Sequence, residues 1–369
     1  MAITLEISGN RYDGFTSINV FKSIETISGS FNFSATSDNV FVFPIQVGSS
    51  CRVLIDNNPV ITGNIENVSV SYDSGTHSLQ ISGRDKTCDI IDSTVVGVKE
   101  FSGPISLTQI ISKSLTDNSI TGISIINNTG TIANFEDSDL FGAEVGETLF
   151  SFIEKYARKR QVLLSSDGDG NIILNRAGNT KAIVSLENII DGQTNNIKSG
   201  NISYDFTQRF NKYIMQSQLN NAALFDESGT TTGNAVSQTG EATDNKIRSS
   251  RQMEIVSGSS DSNVTLQDLA TWHSNLRRVR GTTYSVLVQG FYQDEAKSRL
   301  WAANELVQVV DDFADVRATL LIQSVEYNFS LDGGSTTSIN LVDKDAYTLQ
   351  ANITAAEQRV NDKGDNLIF

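Results

Sequence analysis

Ile65-Glu66-Asn67-Val68-Ser69-Val70-Ser71-Tyr72 carries apolar residues at 65, 68, 70 and 72, Asp73-Ser74-Gly75-Thr76 reads as a turn, and Leu79-Gln80-Ile81 brings the chain back. An apolar residue at every second position places one face of an extended strand toward a core, so the stretch predicts a β-hairpin. A similar stretch recurs late in the chain. Ile322, Val325, Tyr327 and Phe329 repeat the spacing, a Gly-containing turn follows, and Ile339-Asn340-Leu341 returns. Arg84-Asp85 follows the first hairpin and Lys344-Asp345 the second. The repeat predicts two similar β-barrel domains in one chain.

The flanks extend this reading. Ile3, Leu5 and Ile7 alternate, as do Ile18 and Val20, and Phe31 and Phe33. Val40-Phe41-Val42-Phe43-Pro44 is a dense apolar run ended by a proline, which belongs at a strand edge. Residues 1–95 therefore form the first β-barrel. Over 96–200 the period changes. Ser106 and Gln109 make a capping box with Ile105 and Ile110 at the staple positions. Leu149, Phe152, Ile153, Tyr156 and Ala157 line one side of a helix over 147–160. Val162-Leu163-Leu164 and Ile172-Ile173-Leu174 flank Asp167-Gly168-Asp169-Gly170-Asn171, a second hairpin. This is a small α/β domain. The second barrel occupies 201–345, with long loops over 226–262 around one short strand, Met253–Val256. A helix at 266–280 follows, capped by Thr265 and stopped by Gly281. The tail, 346–369, is a polar helix over about 348–362. The predicted class is mainly β with an α/β insertion.

Composition narrows the function. The 369 residues hold 43 acidic and 28 basic side chains, a net charge of −15. A nucleic-acid binder needs a basic footprint to displace counterions. Arg158-Lys159-Arg160 and Arg277-Arg278-Val279-Arg280 are the densest basic runs, and each ends a predicted helix, where cations suit the dipole. No apolar stretch reaches the length of a membrane span. The start, Met1-Ala2-Ile3-Thr4-Leu5, lacks the layout of a signal peptide, so folding in a cytoplasm is expected. Cys51 and Cys88 make neither a disulfide framework nor a zinc site, and are read as buried small hydrophobes.

Chemistry is sparse. Of the two histidines, His77 is read as a solvated strand residue and His273 as a packing residue beside Trp272. Nucleophile–His triads and His- or Cys-based metal motifs have no candidate. Asp167-Gly168-Asp169-Gly170-Asn171 imitates the start of a calcium loop, but Ile172 and Gly178 occupy the positions that need Gly and Glu. No catalytic, cofactor-binding or metal residue is assigned. An acid pair such as a glycosidase uses cannot be picked out among 43 acids.

Four segments in order resemble the hub proteins of contractile-tail phage baseplates. The family is that of the Mu-like 44-kDa baseplate proteins, related to the late-control D proteins and distantly to the hub of phage T4. Ile81-Ser82-Gly83-Arg84-Asp85-Lys86-Thr87-Cys88-Asp89-Ile90-Ile91-Asp92 resembles the exit from the family's first barrel. Gly146-Glu147-Thr148-Leu149-Phe150 through Asn171 resembles its middle helix and hairpin. Leu300-Trp301-Ala302-Ala303-Asn304-Glu305-Leu306-Val307 resembles the approach to its late strands, and Leu341-Val342-Asp343-Lys344-Asp345-Ala346-Tyr347 their end. Ala303, where a proline is expected, and the acidic 226–262 stretch depart from the pattern.

The resemblance implies barrels like tail-tube modules and a structural, non-enzymatic homotrimer in the virion, assembled in the bacterial cytoplasm. Its ring would match the six-fold tail tube to the three-fold central spike and form part of the DNA-ejection channel. Its partners would be copies of itself, the tube protein, the spike and other baseplate proteins, with no cofactor, no specific nucleic-acid binding and no membrane span. The chain ends without a repetitive spike segment, so the spike is expected to be a separate polypeptide. The other readings are a tail-associated cell-wall hydrolase, a carbohydrate-binding adhesin, and the hub of a phage-derived injection machine. Trp272 and Trp301, both in amphipathic settings, count against the adhesin.

Overall fold

A computed structural model describes residues 3–37, 45–73, 77–97, 101–137, 140, 142–160, 162–178, 180–192, 194–217, 239–257, 266–344 and 347. The Val40–Pro44 run, most of the first hairpin's turn, the Thr265 cap and the tail helix expected over 348–362 lie outside these residues. The chain divides into two compact units, residues 1–201 with 284–341, and 202–283 with 342–369.

The first unit opens with seven strands, β1 (Ile3–Ile7), β2 (Asn10–Tyr12), β3 (Ser17–Ser23), β4 (Ser30–Ser37), β5 (Ser50–Ile55), β6 (Asn58–Tyr72) and β7 (His77–Asp85). A short helix, α1 (Cys88–Asp92), leads to α2 (Leu107–Asp117), β8 (Ile125–Asn127), α3 (Leu149–Lys159), β9 (Leu163–Ser166) and β10 (Ile172–Asn175). Then come β11 (Thr180–Lys181), β12 (Leu186–Asn188) and β13 (Ile197–Tyr204). In the second unit are β14 (Lys212–Ser217), β15 (Thr239–Thr243), β16 (Gln252–Ser257) and α4 (Leu266–Arg280). The chain then runs through β17 (Thr282–Gln289), β18 (Glu305–Asp311), β19 (Val316–Ser330) and β20 (Gly334–Val342).

The two hairpins read from sequence are β6–β7 and β19–β20, and each joins a 15-residue strand to a 9-residue strand. Their neighbours match as well. One half of the sheet runs β4-β7-β6-β5, the other β17-β20-β19-β18. Asn64 of β6 faces Ser50 of β5 just before the strand slips register, and Leu321 of β19 faces Leu306 of β18 where that pairing ends. Both strands change their side-chain phase over the next three residues, which is why Ile65 to Val68 and Ile322 to Val325 break the period of two.

The expectation of two closed barrels is not what the pairings draw. Both halves belong to one 14-stranded sheet, in the order β13-β17-β20-β19-β3-β4-β7-β6-β5-β1-β2, with β18 branching from β19 and carrying β11 and β12, and among the described residues this path does not close on itself. The reason is β3. It pairs with β4 on one edge and with the far half of β19 on the other, so it sews the two halves together.

The helical segment folds as its periodicity predicts. Ser106 and Gln109 complete the capping box of α2, and the Thr148 side chain accepts from the Ser151 N–H at 3.1 Å to start α3. Ile110, Leu149, Phe152 and Tyr156 are all fully buried, with Phe135 packed edge-on to Tyr156 at 5.2 Å. In the second unit β14 lies between β15 and β16, and α4 packs on β14 and β15. The sequence reading had placed β15 inside a loop. Thr239-Gly240-Glu241-Ala242-Thr243 has no apolar alternation to mark it, and Gly240 is there because a Cβ would meet the Leu266 backbone at 2.1 Å.

Candidate functional site

The residues weighed for chemistry take up structural positions. His77 begins β7 and stacks on Tyr72 at 6.3 Å. His273 lies on α4 beside Trp272, and burial holds its pKa below the ordinary value, with Arg277 adding to the effect. Cys51 and Cys88 are free and buried, and burial pushes both thiols up to about 12. Among the described residues there is no group of His, Cys, Asp or Glu able to hold a metal ion. A shallow depression beside β3 and β19 is lined by Asn19, Asn32, Asn328 and Lys198, and no carboxylate lines it.

What the fold builds with its polar residues is a set of joints. Lys22 at the end of β3 donates to the carbonyls of Val60, Ser166 and Asp167 at 3.2, 3.0 and 2.9 Å. Desolvation lowers its pKa, against the pull of Asp85 and Asp167. Asp85 is fully buried and accepts from the Gly29 N–H at 2.7 Å, the Thr87 N–H at 3.1 Å, the Thr87 hydroxyl and the Ser166 hydroxyl at 2.5 Å. A buried charge is tolerable only when paired and hydrogen-bonded. This knot clamps the first hairpin, β3 and the β9–β10 hairpin into one body.

The Asp167–Asn171 run is the turn of that second hairpin. Its Asp167 carboxylate accepts from the Asp169 and Asn171 N–H groups at 2.9 and 2.8 Å, an Asx-type turn. Thr62 of β6 donates to the Gly168 carbonyl at 2.8 Å. A Cβ at Gly168 would meet the Pro59 carbonyl oxygen at 2.0 Å, so glycine is what allows the turn to dock on β6. The resemblance to a calcium loop therefore comes from turn chemistry.

A second joint holds β19. Trp301 is buried at 2% exposure, and the Tyr327 hydroxyl donates to its carbonyl. Phe291 meets the Tyr327 ring edge-on at 5.8 Å. On the opposite face Asn19 of β3 donates to Asn328 at 2.8 Å and to Glu326. The sequence signal for this joint was the Leu300–Val307 segment. Asp85 lay in the Ile81–Asp92 segment singled out in the sequence, whereas Lys22 gave no signal beyond lying near a strand end.

The basic runs end helices, as expected. Arg160 stacks over Phe135 at 4.0 Å and donates to the carbonyls of Ala133 and Asn134. Arg277 donates to the Gln208 carbonyl at 3.3 Å, and Arg278 approaches Asp343 at 3.9 Å. Among the described residues no helix is long and apolar enough to cross a membrane.

A mainly β scaffold whose polar groups are spent on joints has the character of an assembly component, and the comparisons with known proteins agree. Residues 2–85 match the family described as the Mu phage baseplate assembly protein GpP-like N-terminal domain, and residues 87–176 the baseplate hub protein gp44-like second domain. The baseplate hub protein gp44 of Escherichia phage Mu is 24% identical over 372 residues, covering 98% of this chain and 92% of that protein. The 43 kDa tail protein of prophage MuSo2 from Shewanella oneidensis superposes with a TM-score of 0.77 at 29% identity, covering 95% of this chain and all of that one. A tail protein from Neisseria meningitidis MC58 gives a TM-score of 0.79 at 19% identity over 95% of this chain and 98% of that one. The fold is thus that of a phage tail protein. Residues 2–176 thus match two baseplate hub domains, and over nearly its whole length the chain is similar to the hub protein gp44 of phage Mu.

Proposed function

We propose that the chain forms a homotrimeric ring that fits the six-fold tail tube to the three-fold central spike of a contractile tail and lines part of the path of ejected DNA. The observation that carries this is the duplicated strand order, β4-β7-β6-β5 and β17-β20-β19-β18. Three chains with two similar β-halves each present six similar surfaces on one side, while whatever is unique to each chain repeats three times. Closing such a ring uses heterologous contacts between unlike edges. Closure also protects the open sheet edges and would complete the barrel-like modules expected from the repeat. The tube protein, the spike and other baseplate proteins are the partners this reading requires.

The role is structural and not enzymatic. The buried carboxylates Asp85, Glu305 and Asp311 accept hydrogen bonds from neighbouring side chains, an arrangement that braces strands. Assembly would take place in the bacterial cytoplasm. The test is mass in solution. Sedimentation or light scattering at high salt should give three times the 40.1 kDa chain mass. Salt matters because three chains bring 3 × −15 = −45 charges together, and screening reduces their repulsion. A monomer under all conditions, with spike protein added as well, would refute the ring.

A further inference from the structure

The two halves of the sheet repeat, but one of their turns does not. β3, β4 and β7 pair antiparallel in series between β19 and β6, so β6 and β19 run the same way through the sheet. The β5–β6 and β18–β19 turns therefore lie at one end of the strands, and the duplicated hairpins turn at the other. In the earlier half the turn is Asp56-Asn57, and side chains of the same chain hold it. Lys297 donates to Asp56 and Arg11 to Asn57, both at 2.8 Å. In the later half the turn is Asp312-Phe313-Ala314-Asp315, and Phe313 stands 92% exposed.

This phenylalanine is presented by a turn that is fixed from within. The buried Asp311 carboxylate accepts from the Phe313 and Ala314 N–H groups at 2.9 and 3.0 Å, from the Asn188 amide at 3.0 Å and from the Tyr284 hydroxyl. The loop between β12 and β13 is tied to the same turn. The Asp312 N–H donates to the Asn188 carbonyl at 3.0 Å, and the Ile190 N–H donates to the Asp312 carboxylate at 3.0 Å. Ile190 is itself 74% exposed. Two large apolar side chains thus stand in water on two loops bonded to each other, and the exposed Asp191 and Asp315 flank them in the chain. A backbone fixed before contact avoids much of the ordering cost of binding. An aromatic core inside a polar rim is also the usual make-up of a protein interface.

We propose that the Phe313–Ile190 tip anchors the central spike protein, with Phe313 entering an apolar pocket whose rim is basic. The proposal rests on the ring reading above and says which end of the sheet holds the spike. In a ring of three chains a feature common to both halves occurs six times, whereas this tip occurs three times, as the three-fold spike requires. The same end of the strands carries another feature found once per chain. The β9–β10 turn docks there, with Gly168 against the Pro59 carbonyl near the start of β6. Asp191 and Asp315 call for cationic side chains around the pocket, because complementary charges steer docking and disfavour wrong partners. The opposite end, where the duplicated hairpins turn, is left for the six-fold tube.

The test uses the full chain and the spike protein of the same phage. Phe313→Asp and Ile190→Asp alter side chains that the single chain leaves in water, so folding and trimer mass are kept. Each should raise the dissociation constant for the spike at least tenfold in titration calorimetry. Leu331→Asp, at a 69% exposed position in the turn between β19 and β20, should leave it unchanged. Asp315→Lys should weaken binding at low salt and do so less at high salt, where charges are screened. Wild-type affinity in both Phe313→Asp and Ile190→Asp would overturn this anchor while leaving the ring intact. A Phe313→Asp chain that loses its trimer mass would overturn it too, since the tip would then be a contact between copies. An equal loss in Leu331→Asp would move the spike to the other end of the sheet. A wild-type trimer that does not bind the spike would instead remove the anchor together with the proposed adaptor role.

Discussion

Glu305 is 2% exposed at the start of β18, where Gln293 donates to it at 2.6 Å and Arg299 pairs with it. Burial nevertheless raises its pKa above the ordinary 4.5, the arginine opposing the shift. A raised folded-state pKa means that the native protein holds the proton to higher pH than the unfolded chain does. The associated stability is fully present below pH 4.5 and is lost as pH rises through the folded value. Glu305→Gln removes this titration, so urea unfolding of the variant should show a flatter dependence on pH just above 4.5 than the parent. An unchanged slope would place the titration elsewhere. Arg209 and Asp244 form a buried ion pair in the second unit. The guanidinium is wholly buried, lies over Phe206 at 4.2 Å and donates to Asp244 at 3.0 and 2.6 Å. Asp244→Ala leaves a buried cation without its partner, a loss of about 3–5 kcal/mol. Limited proteolysis should then cut within residues 202–283 far sooner than elsewhere.

At the scale of elements, the β9–β10 hairpin shows how a turn becomes a fastener. Its Asx turn shapes the loop, but docking on β6 depends on the bare backbone of Gly168. Gly168→Ala forces a methyl group against the Pro59 carbonyl, and overpacking of this kind costs about 1–3 kcal/mol. Thermal unfolding should report the loss, whereas Gly142→Ala, with open space around the added methyl, should be near neutral. A silent Gly168→Ala would mean that the hairpin does not hold the first unit together. The helices and this hairpin were legible in the sequence because their signals are local. Ser106 with Gln109, and the stripe from Leu149 to Ala157, are set by neighbours three and four residues away. β15 was not legible, because a short polar strand is stabilised by the strand and helix it meets and not by its own pattern.

At the scale of the whole molecule, charge decides behaviour toward DNA. The chain carries −15, and the arginines of its two basic runs that are described in contact are occupied by carbonyls, an aromatic ring or an acid. Non-specific binding to DNA comes from phosphates neutralised by Lys and Arg, with Kd of about 10⁻⁴ to 10⁻⁶ M at physiological salt. With these arginines occupied that attraction is expected to be weak, which would suit the proposed wall of a DNA path. The purified protein should leave duplex DNA unshifted in a gel even at ~50 mM salt, where such binding is strongest. Retardation that weakens as salt rises would reveal a basic tract assembled from separate elements.

The sequence by itself determined the β-rich class, the duplicated hairpins and the capped helices. All of these follow from side-chain period, turn residues and composition, which act over a few neighbours. Only the tertiary structure decided that β3 joins the two halves into one sheet and that Lys22 and Asp85 take part in a buried joint. The pairing of Val20 with Tyr327 links residues some three hundred positions apart. Alternation tells each strand which face to bury, yet every alternating strand offers the same two backbone edges. Which edge meets which partner is settled only when all the strands compete for neighbours in the folded chain.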